Sequence, residues 1–329
     1  MDLTALEICA GAGGQAIGLE AAGFGLAAAI EIDTHACNTL RENRPHWQVI
    51  EDSITRVDGS QFRGVDLFAG GVPCPPFSIA GKQLGNNDDR DLFPEALRLI
   101  AEAKPKAVQL ENVPGFASAK FDEYRRRFLL KLGRLGYEAD WRVLNASWFG
   151  VPQLRPRFVL VAFRGEFPQS FQWPEQNGDI PPTVGEALED LMASRGWEGV
   201  ERWRRRAIGI APTLVGGSKK HGGPDLGPTR ARRQWAALGV DGLGIADDAP
   251  GPEHPVSLKP RLTVRMAARL QGFPDSWAIS GGKTAAYRQV GNAFPPPVAH
   301  VVGEAIRASL NGKSPTRRRR QLPLFAMAH

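Results

Sequence analysis

The sequence predicts an α/β protein with a doubly wound, mostly parallel sheet, and three observations support this fold class. In the first half of the 329-residue chain, short apolar runs alternate with segments of helical periodicity, the order expected when helices connect parallel strands. A glycine-rich loop directly follows the first apolar run and opens a helix. After Gly165 the periodicity becomes poor and glycine and proline are dense, so we expect a second, smaller and loop-rich domain.

The strands and helices of the first domain are predicted from apolar runs, helical spacing and breakers. Leu97, Ile100 and Ala101 share a helical spacing, and Pro45 and Gly136 each follow the end of a helix. Strands are expected at 6–10, 26–32, 65–69, 107–110 and 157–163, with a short one ending near Ile50. Helices are expected at 15–22, 34–43, 93–103, 120–135 and, where regular periodicity returns, 298–310.

These patterns divide the chain into three parts. Residues 1–164 and 284–312 are expected to form the first domain, and residues 165–283 the smaller domain inserted into it. Residues 313–329, which include four consecutive arginines, are expected to form a basic, disordered tail.

Composition limits the kinds of binding partner and cellular compartment to be expected. A net charge of +6 and a pI of about 9.4 suit a polyanionic partner, although many basic proteins bind no nucleic acid. Three cysteines are too few for a disulfide framework and fit a reducing compartment. No apolar run is long enough to span a bilayer, and the first residues do not resemble a signal peptide. We therefore expect a cytoplasmic protein without membrane contact.

The glycine loop predicts a cofactor site. Glycine permits positive φ and close backbone approach, and a helix start offers free N–H groups. Glu31 ends the next strand about 20 residues later, where a carboxylate can bind ribose hydroxyls. Asp52 could contact an adenine amino group, but its position alone favours a surface loop acid. The spacing alone does not choose between a dinucleotide and S-adenosylmethionine, or exclude a turn without ligand. The loop candidates are Ala10, Gly11, Gly13 and Gly14.

The loop at 70–78 predicts a nucleophile. It follows the third main strand, at the sheet edge where such folds bind ligands. Prolines on both sides of Cys74 stiffen the backbone and fix the direction of the thiol. Most free cysteines are small buried apolar residues, which is what we expect of Cys9 and Cys37.

Six motifs in this order resemble those of the DNA cytosine-5 methyltransferases, particularly the bacterial restriction–modification type. The resemblance covers nearly the whole chain except about 165–260. It implies a Rossmann-like S-adenosylmethionine methyltransferase fold with a smaller, loop-rich target-recognition domain. Besides the glycine and Pro-Cys loops, the motifs are 111–113 (ENV), 153–157 (QLRPR), 261–275 (RLTVRMAARLQGFPD) and 289–296 (QVGNAFPP).

Two positions depart from the family pattern. Pro75 stands where the family usually has Gln after the nucleophile, and Cys9 stands where it has Phe in the glycine motif. Neither change removes a group that the chemistry requires, so we expect altered tuning rather than lost activity.

The resemblance also implies residue roles. The thiolate of Cys74 adds to carbon 6 of a flipped-out cytosine and makes carbon 5 nucleophilic. Glu111 donates to N3, which requires a proton and favours a raised pKa. Arg157 holds the cytosine O2, and Arg155 holds either the loop or a phosphate. Asn292 contacts the methionine part of S-adenosylmethionine. No metal is implied, and the base that removes the carbon 5 proton is not identified.

Duplex DNA is the implied partner, bound by two regions. Residues 78–90 are expected to close over the DNA, and basic clusters in the inserted domain to contact phosphates and base edges. An ordinary surface loop and solvated basic faces are the alternatives. The DNA candidates are Ser78, Lys82, Arg90, Lys219, Lys220, Arg230 and Arg232.

Three rival functions remain at this point. A tRNA cytosine methyltransferase shares the motifs, but it needs little recognition domain. A catalytically silent paralogue that only binds DNA is disfavoured because it should have lost at least one catalytic residue. A nicotinamide enzyme with the same glycine loop is disfavoured because it has no use for the Pro-Cys loop. We expect a nucleoid-associated monomer that can have a cognate restriction endonuclease but forms no stable complex with it. The recognised DNA sequence, and the choice between a restriction pair and a solitary enzyme, do not follow from the residues.

Overall fold

The computed structural model describes residues 3–73, 91–176, 180–216 and 225–313. Nine strands are found in this part of the chain: β1 Leu3–Ile8, β2 Phe24–Glu31, β3 Val49–Glu51, β4 Leu67–Gly71, β5 Ala107–Asn112, β6 Tyr137–Asn145, β7 Gln153–Leu154, β8 Pro156–Arg164 and β9 Ala211–Pro212. Ten α-helices accompany them: α1 Gly14–Ala21, α2 Thr34–Asn43, α3 Phe93–Ala103, α4 Asp122–Arg134, α5 Val184–Ala193, α6 Val200–Arg204, α7 Thr229–Ala237, α8 Val264–Gln271, α9 Lys283–Asn292 and α10 Pro296–Leu310.

Seven of the strands form one sheet in the order β3-β2-β1-β4-β5-β8-β6. The pairs from β3 to β5 are parallel, whereas β8 is antiparallel to both of its neighbours. This mostly parallel, doubly wound sheet confirms the predicted fold class. Because β1, β2, β4 and β5 run in one direction, their carboxyl ends meet at one edge of the sheet, where the site lies.

Helices cover both faces of the sheet. On one face, alternate strand residues such as Ala5 and Val161 pack with Leu19 of α1 and Val302 of α10. On the other face, residues such as Leu6 pack with helices α3 and α4. Burial on both faces explains why the central strands read as nearly continuous apolar runs.

The predicted and observed elements differ most outside the central strands. Helices α2 and α3 have the predicted bounds, but β6 was not predicted. It is the edge strand of the sheet, and its exposed Glu138, Asp140 and Arg142 give it a polar sequence suited to an unpaired edge. The inserted segment contains helices α5 to α8, which its poor periodicity and dense glycine and proline did not indicate.

The inserted segment shares a hydrophobic core with the glycine loop. Ala12 and Ile17 belong to the same buried cluster as Leu188 and Trp235. The indole nitrogen of Trp277 donates a 3.0 Å hydrogen bond to the carbonyl of Ala12. The segment after 180 is therefore packed onto the ligand-binding edge of the sheet. Among the helices of the described ranges, none has both the length and the apolar character needed to cross a membrane.

Candidate active site

The glycine loop connects β1 to α1 in a shape that needs its glycines. Gly11 and Gly13 have φ of 54° and 82°, values that favour glycine. A Cβ on Gly13 would lie 2.6 Å from a side-chain carbon of Leu40. Gly14 has no room either, because its Cβ would overlap the carbonyl oxygen of Phe294. The loop therefore sits tightly between the sheet and the segment that follows α9.

Glu31, at the end of β2, is fixed by backbone amides. One carboxylate oxygen accepts a 2.8 Å hydrogen bond from the N–H of Gly11, and the other accepts 2.8 Å bonds from Ile32 and Asp33. Three donors orient the carboxylate and use three of its roughly four acceptor positions, which leaves one open on the oxygen that accepts from Gly11. This geometry can accept a hydrogen bond from a ligand hydroxyl.

A cavity of about 310 Å³ brings together six of the eleven predicted catalytic and cofactor residues. It extends from Glu31 to Glu111, so the candidate cofactor residues and a candidate catalytic residue share one space. Pro73, which precedes Cys74 in the chain, also lines it. Among the other predicted residues, its walls include Ala10, Gly11, Asp52 and Asn292, whereas Gly13, Gly14, Arg155 and Arg157 do not line it.

Asp52 faces the cavity from the end of β3. Its carboxylate accepts hydrogen bonds from the N–H of Ser53 and from the side chain of Arg56. The hydrogen bond with Arg56 is the main reason why the pKa of Asp52 is lowered. The side chain is therefore an ionised acceptor at the cavity wall.

Glu111 and Arg157 form a buried ion pair at the end of β5. They are 8% and 7% exposed, and Arg157 Nε lies 2.8 Å from Glu111 Oε1, although the Nε hydrogen makes no hydrogen bond. Burial raises the pKa of Glu111, and the positive charges of Arg157 and Arg155 oppose that rise only in part. A carboxyl in these surroundings can hold and donate a proton.

Asn112 is a site residue that we did not single out from the sequence. Its side-chain amide donates a 2.8 Å hydrogen bond to the carbonyl of Val72, and its amide oxygen accepts one from the N–H of Val113. Val72 is two residues before Cys74, so Asn112 anchors the start of the predicted nucleophile loop. Its place directly after Glu111 at a strand end is the signal that could have identified it.

Arg155 is completely buried. Its guanidinium donates to the carbonyls of Leu214, Gly291 and Ala293 at 2.7 to 2.9 Å. These partners lie in the inserted segment and at the end of α9, so the predicted hold on the nucleophile loop stays a prediction. They leave the guanidinium without the exposure that a phosphate contact requires.

Several predicted residues lie outside the described ranges. They are Cys74, Ser78, Lys82, Arg90, Lys219 and Lys220. Of the remaining DNA candidates, Arg230 is exposed on α7, and Arg232 is half-buried beside Gly242.

The cavity has further wall residues that the motifs did not indicate. Glu7 and Gln15 are almost wholly buried, and Glu7 Oε2 and both amide atoms of Gln15 have no hydrogen-bond partner within the described ranges. Burial is the main reason why the pKa of Glu7 is raised well above its ordinary value. A charged residue inside an otherwise apolar strand was the available signal for Glu7. Other cavity residues outside the motifs include Ile32 and Arg288.

The described part of the chain contains no cluster of three or more His, Cys, Asp or Glu side chains that could hold a metal ion.

Comparison with known proteins gives a family and close relatives. A family model for C-5 cytosine-specific DNA methylases matches residues 3–308. Type II methyltransferase M.NaeI of Lentzea aerocolonigenes is 56% identical over 94% of this chain and 76% of its own length. Type II methyltransferase M.NgoMIV of Neisseria gonorrhoeae is 52% identical over 94% of this chain and 99% of its own length.

Solved structures share the fold at lower identity. DNMT2 of Spodoptera frugiperda superimposes with a TM-score of 0.66 at 20% identity, covering 93% of this chain and 99% of that one. A putative DNA modification methyltransferase encoded within an E. coli prophage gives a TM-score of 0.65 at 23% identity, covering 94% and 99%. The family match spans nearly the whole chain, so this protein belongs to the C-5 cytosine-specific DNA methylases and is a DNA (cytosine-5-)-methyltransferase.

Proposed function

We propose that this enzyme methylates carbon 5 of cytosine at one specific sequence in duplex DNA, with S-adenosylmethionine as donor and Cys74 as covalent nucleophile. The observation that carries the proposal is the single cavity that joins Glu31 to Glu111 and reaches Pro73. A methyl donor bound beside Glu31 would share this space with the residues proposed to activate cytosine.

The cavity walls fit S-adenosylmethionine. Glu31 presents an oriented acceptor for a ribose hydroxyl, and Asp52 an acceptor for the adenine amino group. Asn292 would hold the methionine part, near the unpartnered polar atoms of Glu7 and Gln15. When bound, the cofactor supplies an electrophilic methyl group on a sulfonium.

The protein's own residues would activate the base. The thiolate of Cys74 forms a bond to carbon 6, and Glu111 gives its proton to N3 as the ring electrons move towards carbon 5. Arg157 would hold O2 and balance the charge of Glu111. After methylation, loss of the proton from carbon 5 restores the ring double bond and breaks the sulfur–carbon bond, which returns the thiolate, and N3 gives its proton back to Glu111.

DNA recognition is assigned to the inserted segment. The target carbon is stacked inside the duplex, so the base must rotate out to reach the cavity. We propose that residues 165–283 form the target-recognition domain, with Lys219, Lys220, Arg230 and Arg232 contacting DNA, and that Ser78, Lys82 and Arg90 contact it from the segment after Cys74. The basic charge of the chain supports a phosphate-contacting surface.

A role in restriction–modification is favoured by the relatives. Two Type II methyltransferases are more than 50% identical to this chain, whereas the likeness to DNMT2 at 20% identity concerns the fold alone. We propose a cytoplasmic monomer that acts on DNA and forms no stable complex with a cognate endonuclease. Retention of Cys74, Glu111 and Arg157 weighs against a silent paralogue.

Base-resolution mapping of 5-methylcytosine tests this function. The chain and its Cys74→Ala variant would be expressed separately in a bacterial host that lacks cytosine methylation. We expect 5-methylcytosine at one recurrent short sequence with the wild type and none with the variant. Unmodified DNA, from wild-type protein that is soluble and binds S-adenosylmethionine, would contradict the proposal.

A further inference from the structure

The cofactor cavity contains a buried carboxyl to which the proposed chemistry gives no role. Glu7 lies in β1, is 1% exposed and lines the cavity. Its Oε2 has no hydrogen-bond partner within the described ranges, and both amide atoms of Gln15 in the same cavity wall also lack one. Buried polar groups in folded proteins are nearly always hydrogen-bonded, because leaving them unpaired is costly. The unpartnered carboxyl therefore indicates a ligand that completes this part of the cavity.

Strand order places Glu7 between the two ends of the cavity. The sheet has the order β2-β1-β4-β5, with Glu31 at the end of β2 and Glu111 near the end of β5. Glu31 follows the register partner of Glu7 on β2 by two residues, and Glu111 is two residues beyond the corresponding position on β5. Because residues two apart on a strand share a face, the three carboxyl side chains lie on one face of the sheet, with Glu7 between the other two.

Small residues on the intervening strand keep this face open. On β4, Ala69 is the register partner of Glu7, and Gly71 is the register partner of Glu111. Even a Cβ on Gly71 would lie 3.1 Å from Oε2 of Glu111. No bulky side chain of β4 therefore separates Glu7 from the end of the cavity where Glu111 lies.

The nearest titratable neighbours of Glu7 give it no positive partner. They are Glu31 and the thiol of Cys9, whereas Glu111 is paired with Arg157 and the buried residues of α1 are all uncharged. The other charged residues of the cavity wall are Asp33, Asp52 and Arg288. Burial, and secondarily the negative charge of Glu31, raise the pKa of Glu7 well above its ordinary value. The carboxyl is therefore protonated near neutral pH, and a positive charge brought beside it would favour the ionised form.

The proposed methyl donor would bring a positive charge to this position. In S-adenosylmethionine the sulfonium connects the ribose to the methionine part and carries the transferred methyl group. With the ribose at Glu31 and the cytosine at Glu111, the sulfonium lies between them, on the face of the sheet that carries Glu7. We propose that Glu7 is the counter-charge of the sulfonium and distinguishes the methyl donor from S-adenosylhomocysteine, the product whose sulfur is uncharged. The inference rests on the proposed function for the identity of the cofactor.

This role links cofactor binding to one proton. On binding of the donor, Glu7 gives its proton to solvent and its carboxylate lies beside the positive sulfur, whereas the product leaves Glu7 protonated. Because the proton is held only in the free protein, affinity for the donor rises with pH, by at most about tenfold per pH unit. The rise ends where the pH passes the pKa of Glu7 in the free protein. Affinity for the product lacks this contribution, so the ionisation of Glu7 also favours release of the product after transfer.

Calorimetry can count the linked proton. Binding of S-adenosylmethionine and of S-adenosylhomocysteine to the full chain is measured near neutral pH without DNA, so that no methyl group is transferred. Phosphate and Tris buffers differ in their heats of ionisation, and the difference in binding heat between them gives the number of protons released. We expect the wild type to release more protons with the donor than with the product, by an amount that approaches one per site. The affinity for the donor relative to the product should rise several-fold per pH unit.

Two variants identify the group that releases the proton. Glu7→Gln has nearly the same size but cannot ionise, so it should bind both ligands without the excess of released protons and without the rise with pH. Gln109→Leu is the matched control: Gln109 is 0% exposed, its amide atoms also lack hydrogen-bond partners within the described ranges, and it is not a residue of the cavity wall. It should keep the excess. Protons from the ligands themselves are the same for every protein, and urea unfolding confirms that each variant is folded.

The outcomes separate this inference from the proposed function. Equal proton release with the two ligands in the wild type would overturn the role of Glu7. An excess that persists in folded Glu7→Gln, or that is lost equally in folded Gln109→Leu, would overturn it as well. A folded wild type that binds neither ligand would instead overturn S-adenosylmethionine as the cofactor, and with it the proposed function.

Discussion

The ion pair between Glu111 and Arg157 makes a prediction that separates stability from catalysis. Glu111→Gln preserves side-chain volume but leaves the guanidinium of Arg157, which is 7% exposed, without its counter-charge. Breaking a buried pair in this way costs about 3–5 kcal/mol of unfolding free energy. Adding Arg157→Met removes the unpaired charge, and apolar replacement of both partners is often close to neutral. The double variant should therefore recover at least about 2 kcal/mol relative to Glu111→Gln.

Catalysis should respond differently. Glu111→Gln removes the proton donor proposed for N3, and loss of a positioned general acid lowers turnover by about 10²–10⁴-fold. Arg157→Met removes the group proposed to hold O2, so the double variant should stay inactive even where it regains stability. Urea unfolding and transfer of a labelled methyl group to duplex DNA measure the two quantities. Additive losses of stability would refute the ion-pair argument, and recovered turnover in the double variant would refute the role of Glu111.

Three further predictions concern neighbouring groups. Asn112→Ala should cost about 1–3 kcal/mol of stability, because the buried carbonyl of Val72 loses its hydrogen-bond donor. The variant should lower turnover more than cofactor affinity, and unchanged turnover would contradict the anchoring role of Asn112. Glu31→Gln should weaken cofactor binding by about tenfold or more in calorimetry, since its NH₂ group would face backbone donors such as the N–H of Gly11; an unchanged affinity would exclude Glu31 from the site. Glu7→Gln should increase stability against urea at pH 8 but not at pH 4. Because the pKa of the buried carboxyl is raised, its contribution to stability is complete below the unfolded pKa of about 4.3 and is lost as the pH rises through the folded pKa. A stability difference between variant and wild type that shrinks with rising pH would contradict the argument.

Local sequence signals were sufficient to predict those elements whose geometry is set by residues close in sequence. Helices α2 and α3 could be bounded from their breakers and apolar spacing. The glycine loop and Glu31 could be paired because a strand, a turn and a second strand fix their relation. The edge strand β6 was missed because its exposed charged residues weaken the apolar signal on which strand prediction depends.

The remaining features depend on contacts between distant segments. Arg155 was placed in the site by its motif, but its partners at Leu214 and Gly291 are 59 and 136 residues away. The need for glycine at position 216 arises from a contact with α9 rather than from its own backbone angles. Spacing within a motif carries no information on such contacts, so they became visible only in the structure.

Covalent capture tests the central claim most directly. A duplex with 5-fluorocytosine at the methylated position is incubated with the enzyme and S-adenosylmethionine, and because fluorine cannot leave carbon 5 as a proton would, the sulfur–carbon bond should persist. We predict a complex that survives denaturation, forms only with cofactor present, is absent in Cys74→Ala and yields a modified peptide containing Cys74. Capture through another residue, or efficient methylation of ordinary duplex by Cys74→Ala, would contradict the account.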